Sequence, residues 1–214
     1  MIDLVRYARD RYAAKAYDPT RKIPAALIEQ LRELVRLSPS AVNLQPWHFV
    51  VASTDAGKTR FAKAAHGAFA DNVPRILNAS HVFLLCTRHT LNEAHIEALI
   101  EQEERDGRFP DAQTRQIRRE KLLGYVDIWR NAQAWMEKQT YIALGILLLG
   151  AAELELDATP IEGFDRVMLD QELGLREQGF TSTVLVTLGY RSADDFNAGL
   201  PKSRFPAQTL FSDI

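Results

Sequence analysis

The sequence predicts an α+β fold, and three observations carry that expectation. From Ala132 to Leu154 it reads as one long helix, apolar on nearly all faces from Tyr141 onward, which suits the centre of a core or a subunit interface. Phe49-Val50-Val51-Ala52 and His81-Val82-Phe83-Leu84-Leu85-Cys86-Thr87 are short apolar runs of the interior-strand kind, and Ser182 to Tyr190 alternates apolar and small residues. Shorter amphipathic helical patterns are interspersed with these runs. The 214 residues fit a single domain, 1–214, because one core grows to roughly 250 residues before a chain splits, and no repeat, low-complexity tract or Gly/Ser-rich linker divides the sequence.

Taken in order, residues 2 to 9 read as a short helix, and Arg11-Tyr12-Ala13-Ala14-Lys15 leads into a turn at Asp18-Pro19. If that segment is extended, Arg11, Ala13 and Lys15 face one way, either as a solvated charged face or as two cations on a common ligand. Leu27, Ile28, Leu31, Leu34 and Val35 place a buried stripe on a helix over 24–37, with Pro24 positioned to open it. The connection Ser38-Pro39-Ser40-Ala41-Val42-Asn43-Leu44-Gln45-Pro46-Trp47-His48-Phe49 follows, stiffened by two prolines. It is either an ordinary helix-to-strand turn or a frame from which Ser40, Asn43 and Gln45 meet the edge of a heteroaromatic ligand.

Asp55 starts another helix, and Asn72 and Arg75 read by pattern as a helix cap and a surface cation. Residues 92 to 130 are charge-rich and helical, broken at Gly107; Phe109, Leu122, Leu123, Tyr125 and Trp129 sit there at the spacing of core side chains. Gln139 is a polar residue at the start of the long apolar helix, exposed if it lies on the first turns. Leu156 to Phe164 reads as a short strand running into a tight turn, where Gly163 permits a backbone geometry that brings a main-chain N–H close to a ligand. Prolines extend Pro201-Lys202-Ser203-Arg204-Phe205-Pro206, so Lys202 and Arg204 point to one side, as a basic tail or as a phosphate clamp.

Composition excludes several classes. A net charge of -2, with 46% hydrophobic and 25% charged residues, gives no concentrated positive field for nucleic acid or a membrane surface. The first residues mix charges with apolar side chains, unlike a signal peptide, and the apolar run Tyr141 to Ala152 is short of the roughly 20 residues that cross a bilayer. Cys86, the lone cysteine, excludes an internal disulfide and suits a reducing compartment such as the cytoplasm; it reads as a small core residue. No Gly-x-Gly-x-x-Gly, Walker loop or Gly-x-Ser-x-Gly occurs, and the five histidines form no zinc pattern, so no metal is expected.

Several separated motifs, in order, are similar to those of one family. Ser-Pro-Ser-x-x-Asn-x-Gln-Pro-Trp-x-Phe at 38–49 resembles the hallmark loop of the FMN-dependent nitroreductases. The likeness continues through Arg11 to Lys15, Asp106-Gly107-Arg108-Phe109, Trp135 to Gln139, Pro160 to Asp165 and Leu200 to Arg204. It is strongest toward the oxygen-insensitive NAD(P)H nitroreductases of the smaller, group B type and the dihydropteridine reductases of the same fold. The resemblance implies a three-layer α/β/α fold with a central, mainly antiparallel sheet and a long buried helix, in an intertwined homodimer whose two sites lie at the interface.

The resemblance also implies roles. Arg11, Lys202 and Arg204 would meet the FMN phosphate, and Lys15 the flavin pyrimidine ring. Asn72 would meet a flavin carbonyl, Gln139 would lie near the flavin, and the turn at Pro160, Glu162 and Gly163 would present an N–H to N5. Pro39, Ser40 and Asn43 would reach the flavin bound mainly by the other subunit, while Lys15, Ser40, Arg75 and Phe109 would face NAD(P)H or the acceptor. Tyr12 and Ala13 complete the first segment but depart from the family pattern; Ala13 replaces a hydroxyl residue that bonds the phosphate, and Arg75 stands where relatives have lysine. The implied activity is reduction of nitroaromatics and quinones by NADH or NADPH in two-electron, ping-pong hydride transfer at flavin N5, with no catalytic side chain. A dihydropteridine or quinone reductase of the same fold, or a flavin-binding dimeric module without turnover, are the competing readings.

Overall fold

Four strands form the sheet in the computed structural model, which describes residues 3–129 and 132–214. They are β1 (Trp47–Ala52), β2 (His81–Arg88), β3 (Asp157–Ile161) and β4 (Phe180–Gly189), in spatial order β1-β2-β4-β3, and every neighbouring pair is antiparallel. β2 and β4 are central and buried on both faces, which is why both are nearly continuous apolar or small-residue runs. Pro160 is accommodated because β3 is an edge strand, paired only with β4.

Alternation along β2 divides the interior in two. Val82, Leu84 and Cys86 point into a core shared with Phe61, Ile76 and Leu169, carried by α3 (Asp55–Ala62), α4 (Val73–Asn78) and α8 (Arg166–Leu173). Phe83 and Leu85 point the other way, toward Ile28, Leu31 and Val35 of α2 (Ala25–Arg36) and Leu144 and Leu147 of α7 (Gln133–Glu153). Helices thus cover both faces, giving the three-layer α/β/α arrangement that the resemblance implies, built on an α+β chain. Pro24 precedes the first helical residue of α2 and caps it from extended backbone. α7 lies close enough to α2 that a Cβ at Gly150 would fall 2.4 Å from Leu34 Cδ1, so a larger residue at this crossing would have to displace the Leu34 side chain. Thr140 of α7 is tied to the sheet through the Thr87 hydroxyl at 2.8 Å, which also meets Thr183 at 2.7 Å, beside a β-bulge in the β2–β4 register.

A third apolar cluster lies apart from the sheet. Ile96, Leu99 and Ile100 of α5 (Glu93–Arg105), Leu122 and Val126 of α6 (Ala112–Trp129), Met136 of α7 and Leu44 of the 38–46 connection pack together. α1 (Leu4–Asp10) lies against α7, while the chain beyond Pro201, including the short α9 (Ala207–Leu210), is exposed throughout. No described helix is long and apolar enough to cross a membrane.

Candidate functional site

The two ends of the chain meet at one cleft of about 500 Å³. Arg11, Tyr12 and Ala13 line one side, Pro160 the floor, and Lys202, Ser203 and Arg204 the other. Lys202 holds the junction closed by donating from Nζ to the Ala8 carbonyl at 2.8 Å and to the Arg11 carbonyl. Among the described residues, Arg11, Lys202 and Arg204 form no ion pair. Burial and then the nearby Arg204 push the Arg11 pKa down; burial and then Arg11 and Arg204 do the same for Lys202. Asp10 also lines the cleft and pulls weakly against the shift of Lys202, but it forms no ion pair with the three cations, whose mutual repulsion a dianionic ligand would relieve. Sequence reasoning missed Arg9, Arg191 and Asn197 at the same cleft. Asn197 fixes the first segment by donating Nδ2 to the Ala13 carbonyl at 2.9 Å, and the Tyr12 hydroxyl donates to the buried Asp195 at 2.9 Å. The Asp-x-Asn spacing at 195–197 was the only signal for this support.

A second group forms around Lys15, at the end of the same segment. The Asn72 amide donates to the Gly163 carbonyl at 2.9 Å and accepts from Arg75 at 2.5 Å. Asn72 is therefore not a side-chain cap for α4, although it occupies the cap position. A Cβ at Gly163 would lie 2.9 Å from Asn72 Nδ2 and 3.0 Å from Phe69 Cδ1, so glycine is needed here for close approach. Its φ lies outside the left-handed region, which corrects the expectation that unusual backbone geometry was the reason. The Arg75 Nε is buried without a hydrogen-bond partner among the described residues. Lys15 likewise has no bonded partner there; burial, then the nearby Arg75, push its pKa down, against a smaller pull from Asp195. Glu162 accepts a hydrogen bond from Tyr141 of α7, a contact the sequence did not suggest, and burial with this carboxylate pushes the tyrosine up to about 12.

The third group is the 38–46 connection itself. Gln139 is buried, not exposed: its Oε1 accepts from the Ala41 N–H at 2.8 Å and its Nε2 donates to the Trp135 carbonyl at 3.2 Å. The Ser40 hydroxyl accepts from the Gln45 N–H at 2.9 Å, and Asn43 Nδ2 donates to Glu103 at 3.0 Å. These bonds run to α5 and α7, so one chain brings Arg11, Lys202 and Arg204 together, and separately Lys15, Asn72, Arg75 and Gly163, while Pro39, Ser40, Asn43 and Gln139 are gathered elsewhere. Phe109, Leu123 and Tyr125 pack against the third apolar cluster and Leu122 is buried in it; the Trp129 side chain lies outside the described residues.

The model of the nitroreductase family matches residues 8–190. The chain belongs to the nitroreductase family. Among its relatives in that family, the oxygen-insensitive NAD(P)H nitroreductase of Salmonella typhimurium is 43% identical over 217 residues, covering 100% of both chains. The major NAD(P)H-flavin oxidoreductase of Aliivibrio fischeri is 31% identical over 94% of each chain. A protein of Exiguobacterium sibiricum solved in complex with FMN shares the fold at a TM-score of 0.83 and 21% identity, over 100% of this chain and 98% of that one. As a nitroreductase-family chain it keeps Cys86 as a buried core thiol whose pKa burial pushes up, with no described His/Cys/Asp/Glu cluster able to hold a metal.

Proposed function

We propose that this chain is an NAD(P)H-dependent nitroreductase that holds FMN with Arg11, Lys202 and Arg204 on its phosphate and Lys15, Asn72 and Gly163 beside its ring. The observation that carries this reading is the convergence of Arg11 with Lys202 and Arg204 in one cleft, where Asp10 is the carboxylate that lines it and is ion-paired with none of the three. The fit extends to the second group, where the Lys15 ammonium, which has no bonded partner among the described residues, offers a donor to an electron-rich heterocycle edge, and where the glycine at 163 lets Asn72 and Phe69 pack against the turn. When bound, FMN supplies two-electron hydride transfer between NADH or NADPH and a nitroaromatic or quinone acceptor. The chain's own contribution is binding and electrostatics: Arg11, Lys202 and Arg204 neutralise the phosphate, and Lys15 favours extra negative charge on the ring. Ser203 stands in the cleft where it can offer a hydroxyl in place of the one that Ala13 lacks.

The working unit in this reading is a homodimer of two single-domain chains. On α7, Ile142 is 41% exposed and Ile146 and Leu149 are half-buried, and the arm beyond Leu200 carries Phe205, Leu210 and Phe211 with no cover in their own chain. Apolar surface of this extent calls for a partner, and a second copy would bring Pro39, Ser40, Asn43 and Phe109 toward the other chain's flavin and its small aromatic acceptor. The buried free thiol fits work in the cytoplasm.

The test is direct. Purified protein is expected to be yellow, to bleach anaerobically with NADH or NADPH, and to turn over a nitrofuran or menadione. A colourless protein that takes up no added FMN overturns the reading, and a yellow one that NADH and NADPH do not bleach is a flavin-binding module without turnover.

A further inference from the structure

Glu103 is a carboxylate that the proposed flavin contacts leave unused, and it is 2% exposed. Arg118 of α6 donates from Nε to its Oε2 and from NH2 to its Oε1, both at 3.0 Å, and the same NH2 reaches the Val42 carbonyl at 2.8 Å. Asn43 Nδ2 donates to Glu103 Oε1 at 3.0 Å, and Arg108 stands 3.9 Å away. Burial opposes the charged carboxylate, but the bonds from Arg118 and Asn43 outweigh it and hold the pKa below the usual carboxylate range. The four groups form one network joining α5, α6 and the 38–46 connection.

The backbone held by this network is strained. Val42, Asn43 and Gln45 have φ of 52°, 57° and 49°, in the left-handed region that side chains, above all a β-branched one, avoid. Each such residue costs about 1–3 kcal/mol and persists only where its surroundings over-determine it. Leu44 is plugged into the third apolar cluster between the strained positions, and its carbonyl is met by His95 Nε2 at 2.6 Å. Arg118 and Glu103 clamp the two residues before it.

We propose that Glu103 and Arg118 are a positioning pair that fixes Ser40 and Asn43 against the electron acceptor by locking the left-handed turn to the α5–α6 hairpin. The proposal rests on the reading of the chain as a flavin-dependent reductase. In it, the phosphate end of the site is independent of the pair, because Arg11, Lys202 and Arg204 share none of its bonds.

Arg118→Lys keeps the charge but loses the fork that reaches Glu103 and Val42 together; Glu103→Gln keeps the shape but loses the charge. In the full-length FMN-loaded protein, both variants are expected to raise KM for a nitrofuran at least five-fold with kcat changed less than two-fold, and the double variant to be no worse than the worse single one. Hydrogen exchange of amides in 41–45 should quicken about ten-fold in the FMN-free protein as well, and FMN affinity should fall by less than acceptor affinity, because Ser40 and Asn43 also reach toward the flavin while the phosphate clamp is untouched. Folded variants with unchanged KM and loop exchange overturn the proposal, as does an equal loss of FMN affinity and acceptor affinity. Failure of both variants to fold also overturns it, since the pair would then support the fold and not the loop. Should the wild type bind FMN yet reduce no acceptor, the proposed activity fails separately, and the loop exchange decides alone whether the pair holds the turn.

Discussion

The ammonium of Lys202 donates to the main-chain carbonyl of Arg11, 191 residues earlier in the chain, so the C-terminal arm is fastened to the segment that carries the N-terminal cation. The bond orients the arm, and the charge of Lys202 adds to that of Arg204 in the same cleft. The double variant Lys202→Ala/Arg204→Ala is expected to weaken FMN binding about a hundredfold or more, because each charge-assisted bond to a phosphate is worth about 1.5–3 kcal/mol. Titration of the apoprotein with FMN, followed by quenching of flavin fluorescence, measures this. Both side chains are exposed, so losing the two surface bonds of Lys202 should lower the unfolding midpoint of the apoprotein only slightly; FMN bound at wild-type strength would remove the phosphate assignment.

Gly163 tests the other end of the site. A methyl group there meets Asn72 Nδ2 at 2.9 Å and the Phe69 ring at 3.0 Å, and Asn72 is held in place by Gly163 itself and by Arg75. Gly163→Ala should therefore cost about 1–3 kcal/mol as overpacking, read as a lower urea midpoint, and should shift the visible circular dichroism of bound flavin by moving Asn72. A variant with wild-type stability and wild-type flavin dichroism would show that the turn has slack and that Asn72 is not locked.

How far the sequence disclosed this arrangement depends on whether a signal was local. Strands β1, β2 and β4 and the helices α2 and α7 were legible because their apolar spacing is set by the same core that buries them. Lys202 and Arg204 were legible because prolines fix an extended backbone in which residues two apart share a side. The bonds of Gln139 to Ala41 and of Glu103 to Asn43 and Arg118 were not, since they join residues 98, 60 and 15 positions apart with no periodicity linking them. The left-handed turn at Val42 was hidden too: valine is among the least suited residues for it, and only tertiary contacts hold it there.

The exposed arm yields a prediction about assembly. Phe205 and Phe211 are 74% and 73% exposed in one chain and flank the short α9. Burying each against a second copy would contribute about 1.5–3 kcal/mol. Phe205→Ser/Phe211→Ser is therefore expected to raise the dimer dissociation constant at least a hundredfold, measured by sedimentation equilibrium, while leaving the far-ultraviolet circular dichroism unchanged. A wild-type protein that sediments as a monomer at micromolar concentration would refute the dimeric reading altogether.

The histidines set an acid limit on stability. His95 is pushed below its ordinary value of 6.5 by burial and then by Arg88, against a smaller opposing effect of its bond to the Leu44 carbonyl; His48 and His81 are also lowered, burial first. A depressed base binds fewer protons folded than unfolded, so its stabilising share is intact above 6.5 and is lost as pH falls from there through the folded value. Each such histidine can contribute at most about 1.4 kcal/mol per pH unit. Urea unfolding between pH 7 and pH 5 should accordingly show falling stability, with a shallower fall in His95→Gln, whose amide can still donate to Leu44. Because that carbonyl follows Val42 and Asn43, protonating His95 also adds a cation beside Arg88 next to the strained turn. The acceptor KM should then rise in the same pH interval in the wild type and stay flat in His95→Gln. Identical slopes for the two proteins would mean that His95 titrates freely and that the turn is insensitive to it.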